Sequence, residues 1–313
     1  VPLRFPLSLA TRKSPLALAQ AHLVQDGLVS AFGATADDFP IHALVSTGDK
    51  LTDRKLIDAG GKGLFTKEID DALLTGAAAI AVHSMKDVPT QLPAGLVLAA
   101  ILEREDPRDV LLTAHGSAQL ADLPRGARLG TASLRRQAQA LALRPDLEIV
   151  TLRGNVDTRL GKLRSGEVHA TFLALAGLKR LGREQGTFPP CDMDTMLPAA
   201  GQAAIGLVIR ADDADAARAV LTLNHLPSAF AITAERAFLA ALDGSCRTPL
   251  ATHATLDGDT LSIRGEALLP DGSARWQAQR SGTFADAEAL GRDLGEAIKR
   301  AGGARLAKVI EAS

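Results

Sequence analysis

Tyrosine is absent from these 313 residues, tryptophan occurs once, and aromatic side chains make up only 3% of the chain. Proteins that bind nucleic acid usually combine a basic field with aromatic stacking platforms. This chain has neither, since 35 Lys and Arg face 36 Asp and Glu for a net charge of −1, so nucleic acid is excluded as its main partner. No apolar run reaches the length of roughly 18 residues that a membrane span needs. The start, VPLRFPLSLATRKS, lacks the charged, apolar and small-residue segments of a signal peptide. Only two cysteines occur, Cys191 and Cys246. A disulfide framework is therefore not expected, and a reducing, cytoplasmic setting is. The seven histidines show no ligand spacing and neither cysteine has a CxxC partner, so no metal is expected.

What the chain does have is apolar mass, at 46% of its residues, enough to bury sizeable cores in two or three domains. Over its first two thirds, strand-like and helix-like segments alternate. LSLAT precedes a helix capped by Ser14 and Pro15; IHALV precedes GLFTKEIDDALLTG; ARLGT precedes SLRRQAQALAL; LEIVTL precedes a helix near residues 155–165; ATFLALAG precedes GLKRL; and AAIGLVI precedes DADAARAVLTL. That rhythm predicts an α/β architecture with mostly parallel sheets covered on both faces. After about residue 226 the pattern changes. A helix closes at Gly244, three strands follow through the turn pairs Asp257-Gly258 and Asp271-Gly272, and a last helix is broken near Gly302-Gly303. Asp-Gly pairs between strands are strong hairpin signals, and the whole predicts a small C-terminal α+β domain. Boundaries are expected near EREDPR and NHLPS.

In open α/β sheets, ligands gather beyond the carboxyl ends of the strands, where helix N-termini offer free N–H groups to anions. Basic and hydroxyl residues crowd these junctions: Arg12 and Ser14 after LSLAT, Thr131, Ser133, Arg135 and Arg136 after ARLG, Arg153 and Arg159 around RGNVD, and Arg180 after the ATFLALAG strand. Between Arg125 and Arg183 there are 12 Lys and Arg against 4 Asp and Glu. A single arginine of this kind is usually a solvated helix face. The set, placed at successive strand ends, indicates a site for a ligand with several negative groups, since guanidinium forks suit carboxylates and phosphates.

Three further stretches stand out. GGKGLFTK fails the phosphate-loop spacing, because Lys62 is followed by glycine rather than serine or threonine; Lys62 remains a candidate anion contact. AVHSMKDVPT ends an apolar strand in His83, Ser84, Lys86 and Asp87. A carboxylate beside a lysine at a strand end reads either as a structural ion pair or as a group that holds a developing cation or relays a proton to an amine leaving group, while His83 reads as a packed histidine. LDGSCRTPLA places Cys246 in a loop beside Arg247, a setting that favours the thiolate. Cys191 reads as incidental.

Taken in order, ATRKSPLALAQA, STGDK, GGKGLFTKEID, AVHSMKDVPT, REDPRDVL, LGTASLRRQAQ, LRGNVDTRL, LAGLKRLG, LPAAGQAAIG and AERAFLAALDGSCRTPLA resemble the hydroxymethylbilane synthase (porphobilinogen deaminase) family of tetrapyrrole and heme biosynthesis, nearly end to end. The resemblance implies a transferase with two periplasmic-binding-protein-like domains, residues 1–103 with 204–222 and residues 104–203, and a third domain at 226–313. It implies a dipyrromethane cofactor joined to Cys246 by a thioether, which primes four successive additions of porphobilinogen, each losing ammonia, before hydrolysis releases hydroxymethylbilane. By the same resemblance, Ser84, Lys86, Thr131, Ser133, Arg135 and Arg136 bind the cofactor. Arg12, Ser14, Lys62, Phe65, Arg153, Arg159, Arg180 and Gln202 bind substrate, and Asp87 is catalytic. A monomer is expected. Two positions depart from the family pattern: Ala203, where glycine is common, and Ser46, where threonine is common. Two rival readings remain at this point: a non-catalytic binder of a carboxylated ligand, which leaves Cys246 and Asp87 without a role, and a phosphate-handling transferase, which the GGKG spacing disfavours.

Overall fold

A computed structural model of the chain describes residues 3–47, 65–183, 188–244 and 248–311. The chain divides into two compact units, Val1–Glu105 with Ala204–Ala229, and Asp106–Ala203 with Phe230–Ser313.

Unit 1 is built on a five-stranded sheet of β1 (Leu9–Arg12), β2 (Ile41–Leu44), β3 (Ile80–Ser84), β4 (Leu96–Ile101) and β10 (Ile205–Arg210), in the order β2-β1-β3-β10-β4. Alternate residues face opposite ways along each strand. Leu9, Ile80, Val82, Leu207 and Ile209 therefore share one core with Val24 and Leu28 of α1 (Pro15–Phe32) and Ala216 and Val220 of α6 (Ala214–Leu221). Their neighbours Ala10, Ala81 and Val208 face a second core with Ile69 and Leu73 of α2 (Lys67–Leu74). α1 begins where the sequence places it. Ser14 Oγ accepts the Ala17 N–H at 3.3 Å, Pro15 follows, and Gly33 closes the helix at φ 59°. A hydroxyl cap, a proline in the first turn and a left-handed glycine at the end are the usual boundary marks of a helix.

Unit 2 holds a matching sheet of β5 (Asp109–Thr113), β6 (Gly116–Ser117), β7 (Arg128–Gly130), β8 (Glu148–Val150) and β9 (Ala170–Ala174), in the order β6-β5-β9-β7-β8. Its helices are α3 (Leu134–Leu143), α4 (Val156–Arg164) and α5 (Leu175–Arg180). The unit also contains most of α7 (Leu226–Ala241), the antiparallel sheet β11 (Leu250–Asp257), β12 (Thr260–Leu268) and β13 (Arg275–Thr283), and α8 (Ala287–Glu311). These last elements enclose their own core around Phe238, Leu261, Ile263, Leu294 and Ile298. Gly303, at φ 51° and ψ −144°, interrupts α8 where the Gly-Gly pair predicts a break. Gly272 takes φ 73° in the β12–β13 turn, and a Cβ there would stand 2.4 Å from the Ala142 backbone nitrogen. Only glycine, with no Cβ, lets this turn rest on α3.

The expected parallel pairing holds with one exception in each sheet. Four strands run one way; β10 in unit 1 is antiparallel to β3 and β4, and β5 in unit 2 is antiparallel to β6 and β9. Each reversed strand is the first that the chain forms after passing from one unit to the other, without the βα crossover that enforces parallel pairing. A reversed strand starts where its neighbours end. Asp109 thus pairs with Ala174, and Ile205 with Ser84.

Just before β10, Ala203 is buried with φ 72°. That left-handed conformation costs any residue with a Cβ. Glycine, the residue that the resemblance leads one to expect here, is what the backbone calls for. Ala203→Gly is expected to stabilise the protein by about 1 kcal/mol, relief of the Cβ clash exceeding the added freedom of the unfolded chain. Calorimetry should show Tm higher by about 2 °C; an unchanged or lower Tm would mean that the alanine sits there without strain.

Candidate functional site

In unit 1, β1 and β3 are parallel neighbours with Leu9 opposite Ile80 and Ala10 opposite Ala81. Their carboxyl ends therefore lie side by side. β1 delivers Arg12, and β3 ends at Ser84 in a short 3-10 turn, Met85–Asp87. The result is an ion pair, Arg12 Nη1 to Asp87 Oδ2 at 3.5 Å, with both side chains partly exposed at 22% and 30%. The Arg12 guanidinium also lies 4.4 Å from the centroid of the Phe65 ring, a cation–π contact. Ser84 Oγ donates to Gln20 Oε1 of α1 at 2.9 Å. Ser14 stands at the start of that same helix, and Lys86 lies within the turn, half-buried. Five residues that the sequence singles out, Arg12, Phe65, Ser84, Lys86 and Asp87, thus gather at two strand ends. The carboxylate near Lys86 has Arg12, from the neighbouring strand, as an ion-pair partner.

His83 is buried, as expected of a packed histidine. Burial first, and then the Arg12 charge, push its pKa down to about 4.

In unit 2, the N-terminus of α3 is capped by Ser133, whose Oγ accepts the Arg136 N–H at 3.4 Å, while Thr131 Oγ1 accepts the Ser133 N–H at 3.1 Å. Arg135 and Arg136 follow in the first turn, and both are buried. They turn onto Asp109, which is completely buried at the start of the reversed strand β5. Arg135 Nη2 donates to Asp109 Oδ2 at 2.7 Å, and Arg136 Nη2 donates to Oδ1 at 2.8 Å. Arg135 Nη1 also donates to Gln139 Oε1 and the Leu197 carbonyl, and Arg136 Nη1 to the Phe172 carbonyl. Burial alone would raise the Asp109 carboxyl; the two guanidiniums override it and hold the group well below the usual carboxylate range, because a nearby opposite charge favours the ionised form. Burial likewise lowers the Arg135 guanidinium, with Asp109 opposing the shift. Two cations thus share one anion, and Arg135 Nε is buried without a hydrogen-bond partner. An orphaned donor beside a surplus positive charge is what a carboxylated ligand would satisfy.

The remaining basic residues sit at neighbouring strand ends of this unit. Arg153 follows β8, half-buried. Arg159 Nε donates to the Gly154 carbonyl at 2.9 Å, at the Asn155-capped start of α4. Arg180 Nη2 donates to the Ala203 carbonyl at 2.5 Å. Gln202 is buried, and its amide nitrogen donates to the Pro107 carbonyl at 2.6 Å and to Asp109 Oδ1 at 2.8 Å. Lys62 and Cys246 lie outside the described residues. The helix before Cys246 ends as expected, with the Gly244 N–H donating to the Leu239 carbonyl. Cys191 is buried in the core beside Leu111 and Phe172, and burial pushes its thiol up to about 11, which fits an incidental thiol.

Sequence reasoning missed Asp109, Gln139 and Gln20. Asp109 is visible as the second aspartate of REDPRDVL, but it opens a strand, whereas ligand-binding residues are expected where strands end.

Two family models match this chain. The one described as "Porphobilinogen deaminase, dipyromethane cofactor binding domain" matches residues 7–218, and "Porphobilinogen deaminase, C-terminal domain" matches residues 229–300. Curated relatives include the porphobilinogen deaminase of Paracoccus denitrificans, 52% identical over 294 residues and covering 94% of each chain. That of Nitrobacter winogradskyi is 49% identical over 296 residues, covering 95% of this chain and 93% of its own. Among solved structures, substrate binding domain 2 of Lactococcus lactis GlnP, in its open conformation, aligns at 12% identity and a TM-score of 0.43, covering 71% of this chain and 90% of that one.

His83 yields a pH prediction. Its folded pKa is depressed from 6.5 to about 4, so between those values the unfolded chain binds the extra proton. Its contribution to stability is complete above about pH 6.5 and falls as the pH drops toward about 4. From about pH 7 to about pH 5 this one group removes about 2 kcal/mol. Urea unfolding at the two pH values should show that loss, reduced in His83→Gln. A variant with the wild-type pH dependence would assign the loss to other groups.

Proposed function

This chain belongs to the porphobilinogen deaminase family, and on that premise we propose how its own residues divide the work of the reaction. The enzyme joins four porphobilinogen molecules head to tail, releasing an ammonia at each addition, to give the linear tetrapyrrole hydroxymethylbilane. A bound dipyrromethane supplies the primer on which the chain grows. Family membership carries this reading, and the Arg135–Arg136–Asp109 cluster fits the primer chemically. Each pyrrole bears two carboxylates, and the cluster has a surplus cation and an unpartnered buried N–H for one of them.

Cys246 holds the cofactor through a thioether. Ser84, Lys86, Thr131, Ser133, Arg135 and Arg136 bind its acid side chains. Arg12, Ser14, Lys62, Phe65, Arg153, Arg159 and Arg180 bind the substrate and the growing product, whose carboxylates suit guanidinium, ammonium and hydroxyl groups. Asp87 is the catalytic group. Its carboxylate stabilises the positive charge that develops on the substrate as ammonia departs. Arg12, 3.5 Å away, orients that carboxylate and holds a substrate carboxylate in turn. Residues 226–313 form the third domain. No helix among the described residues is long and apolar enough to cross a membrane, and we place the enzyme in the cytoplasm as a monomer.

Intact mass of the purified protein should exceed the sequence mass by roughly 400 Da, the size of two deaminated porphobilinogen units bound as a covalent cofactor. Cys246→Ser should fold, lack that mass and have no turnover. Asp87→Ala should retain the thiol that accepts the cofactor and lose roughly 100-fold or more in kcat, as removal of an electrostatic catalytic group does. An active wild-type protein at bare sequence mass would refute the covalent assignment, and near-normal rates in Asp87→Ala would remove that residue from the mechanism.

A further inference from the structure

Gln202 is the residue whose surroundings fit its expected role least. A substrate-binding amide should have a donor or acceptor turned toward ligand. Instead, the side chain is 1% exposed, and its nitrogen donates to both the Pro107 carbonyl and Asp109 Oδ1. An amide nitrogen has two hydrogens, and these two bonds use both.

The Asp109 carboxylate that it meets is saturated as well. Oδ1 accepts from Gln202 Nε2 and Arg136 Nη2; Oδ2 accepts from Arg135 Nη2 and, at 3.3 Å, from Arg136 Nε. Four donors occupy four lone-pair positions. A carboxylate filled in this way cannot turn without breaking a charge-assisted bond to one arginine or the other. Its orientation fixes the plane of both guanidiniums, and so the direction of the buried Arg135 Nε–H, which has no hydrogen-bond partner.

Gln202 is itself held within a short segment fastened at each of three consecutive residues. The Gly201 N–H donates to Glu235 Oε2 at 2.7 Å, Gln202 reaches Asp109, and the Ala203 carbonyl accepts from Arg180. Gly201 and Ala203 both have left-handed backbones, at φ 69° and 72°. The side chain between them is aimed by its neighbours.

Resting on the function proposed above, we infer that Gln202 and Asp109 are positioning residues for the Arg135–Arg136 pair, and that Gln202 acts through Asp109 rather than on substrate. The pair receives a cofactor carboxylate, and Asp109 with Gln202 sets the angle at which the guanidiniums present themselves. Without Gln202, Asp109 Oδ1 loses one of its two donors and the carboxylate is free to rotate toward either arginine.

The test uses Gln202→Met, which keeps the volume and removes both donors, alongside Asp109→Asn and the double variant. Three quantities are read: the cofactor-loaded fraction by intact mass, KM and kcat of the loaded molecules, and Tm. We expect Gln202→Met to lower the loaded fraction at least threefold, with KM for porphobilinogen within twofold of wild type. Asp109→Asn should lower loading further, and adding Gln202→Met to it should change loading little, since two residues acting through one group are not additive. Should Asp109→Asn fail to fold, the single Gln202 variant still decides. A tenfold rise in KM with loading unchanged would make Gln202 a substrate contact. Full loading with normal kinetics and only a lower Tm would make its role structural. Either result overturns the inference while leaving the reaction in place, whereas an active wild-type chain without the added mass overturns both.

Discussion

Two guanidiniums are buried in unit 2 because one carboxylate lies between them. Neither Arg135 nor Arg136 could be withdrawn from water alone, since an unpaired buried charge costs several kcal/mol. Asp109 makes the withdrawal possible, and it does so incompletely, leaving the cluster one positive charge in excess. For stability alone this would be a poor arrangement, because well-packed apolar side chains often serve as well as a buried ion pair. It becomes sensible when a further anion is expected. Arg153, Arg159 and Arg180, at the neighbouring strand ends, add to the same positive field.

The sheets explain why such groups converge. Parallel strands end on a common edge, and each end leads into a turn or helix start with free N–H groups. Arg12 and Asp87 meet because β1 and β3 are adjacent and in register. The reversed strand adds something that a purely parallel sheet lacks, a strand beginning on the edge where the others finish. Asp109 occupies that beginning in unit 2, and the Ala204 carbonyl, just before β10, takes the Met85 N–H in unit 1. One strand laid against the rest lets an acidic side chain reach a row of basic ones.

Much of this was legible in the sequence. The strand and helix segments, the Ser14 cap, the interruption at Gly303 and the buried histidine all follow from local chemistry, which acts within a few residues and leaves a local pattern. The basic residues at strand ends were legible too, because the rule that selects them depends on order along the chain. Strand direction was not. Nothing within DVLLT tells a parallel strand from an antiparallel one, so Asp109, just past the expected boundary at EREDPR, was given no place in a site. Gln202 was half legible for a related reason. Its motif marked it as functional, but the partner of its side chain lies 93 residues earlier in the chain, and only the folded backbone joins them. Ala203 lay between these cases: the family pattern marked the position, and the backbone angle gives the reason.

The C-terminal sheet is tied to the rest of unit 2 by polar bonds as well as by its own core. The fully buried Glu235 carboxylate accepts the Ala254 N–H on one side and the Gly201 N–H on the other. Glu266, equally buried, accepts from Gln139 of α3 and from Arg275. Excising residues 230–313 as a stand-alone fragment would strip Gly201 from one acid and Gln139 from the other, uncovering two carboxylates that the intact chain keeps dry. This part of the protein has a core of its own and still depends on its neighbour to complete it, so dissection by limited proteolysis or truncation should yield a weakened piece rather than an autonomous module.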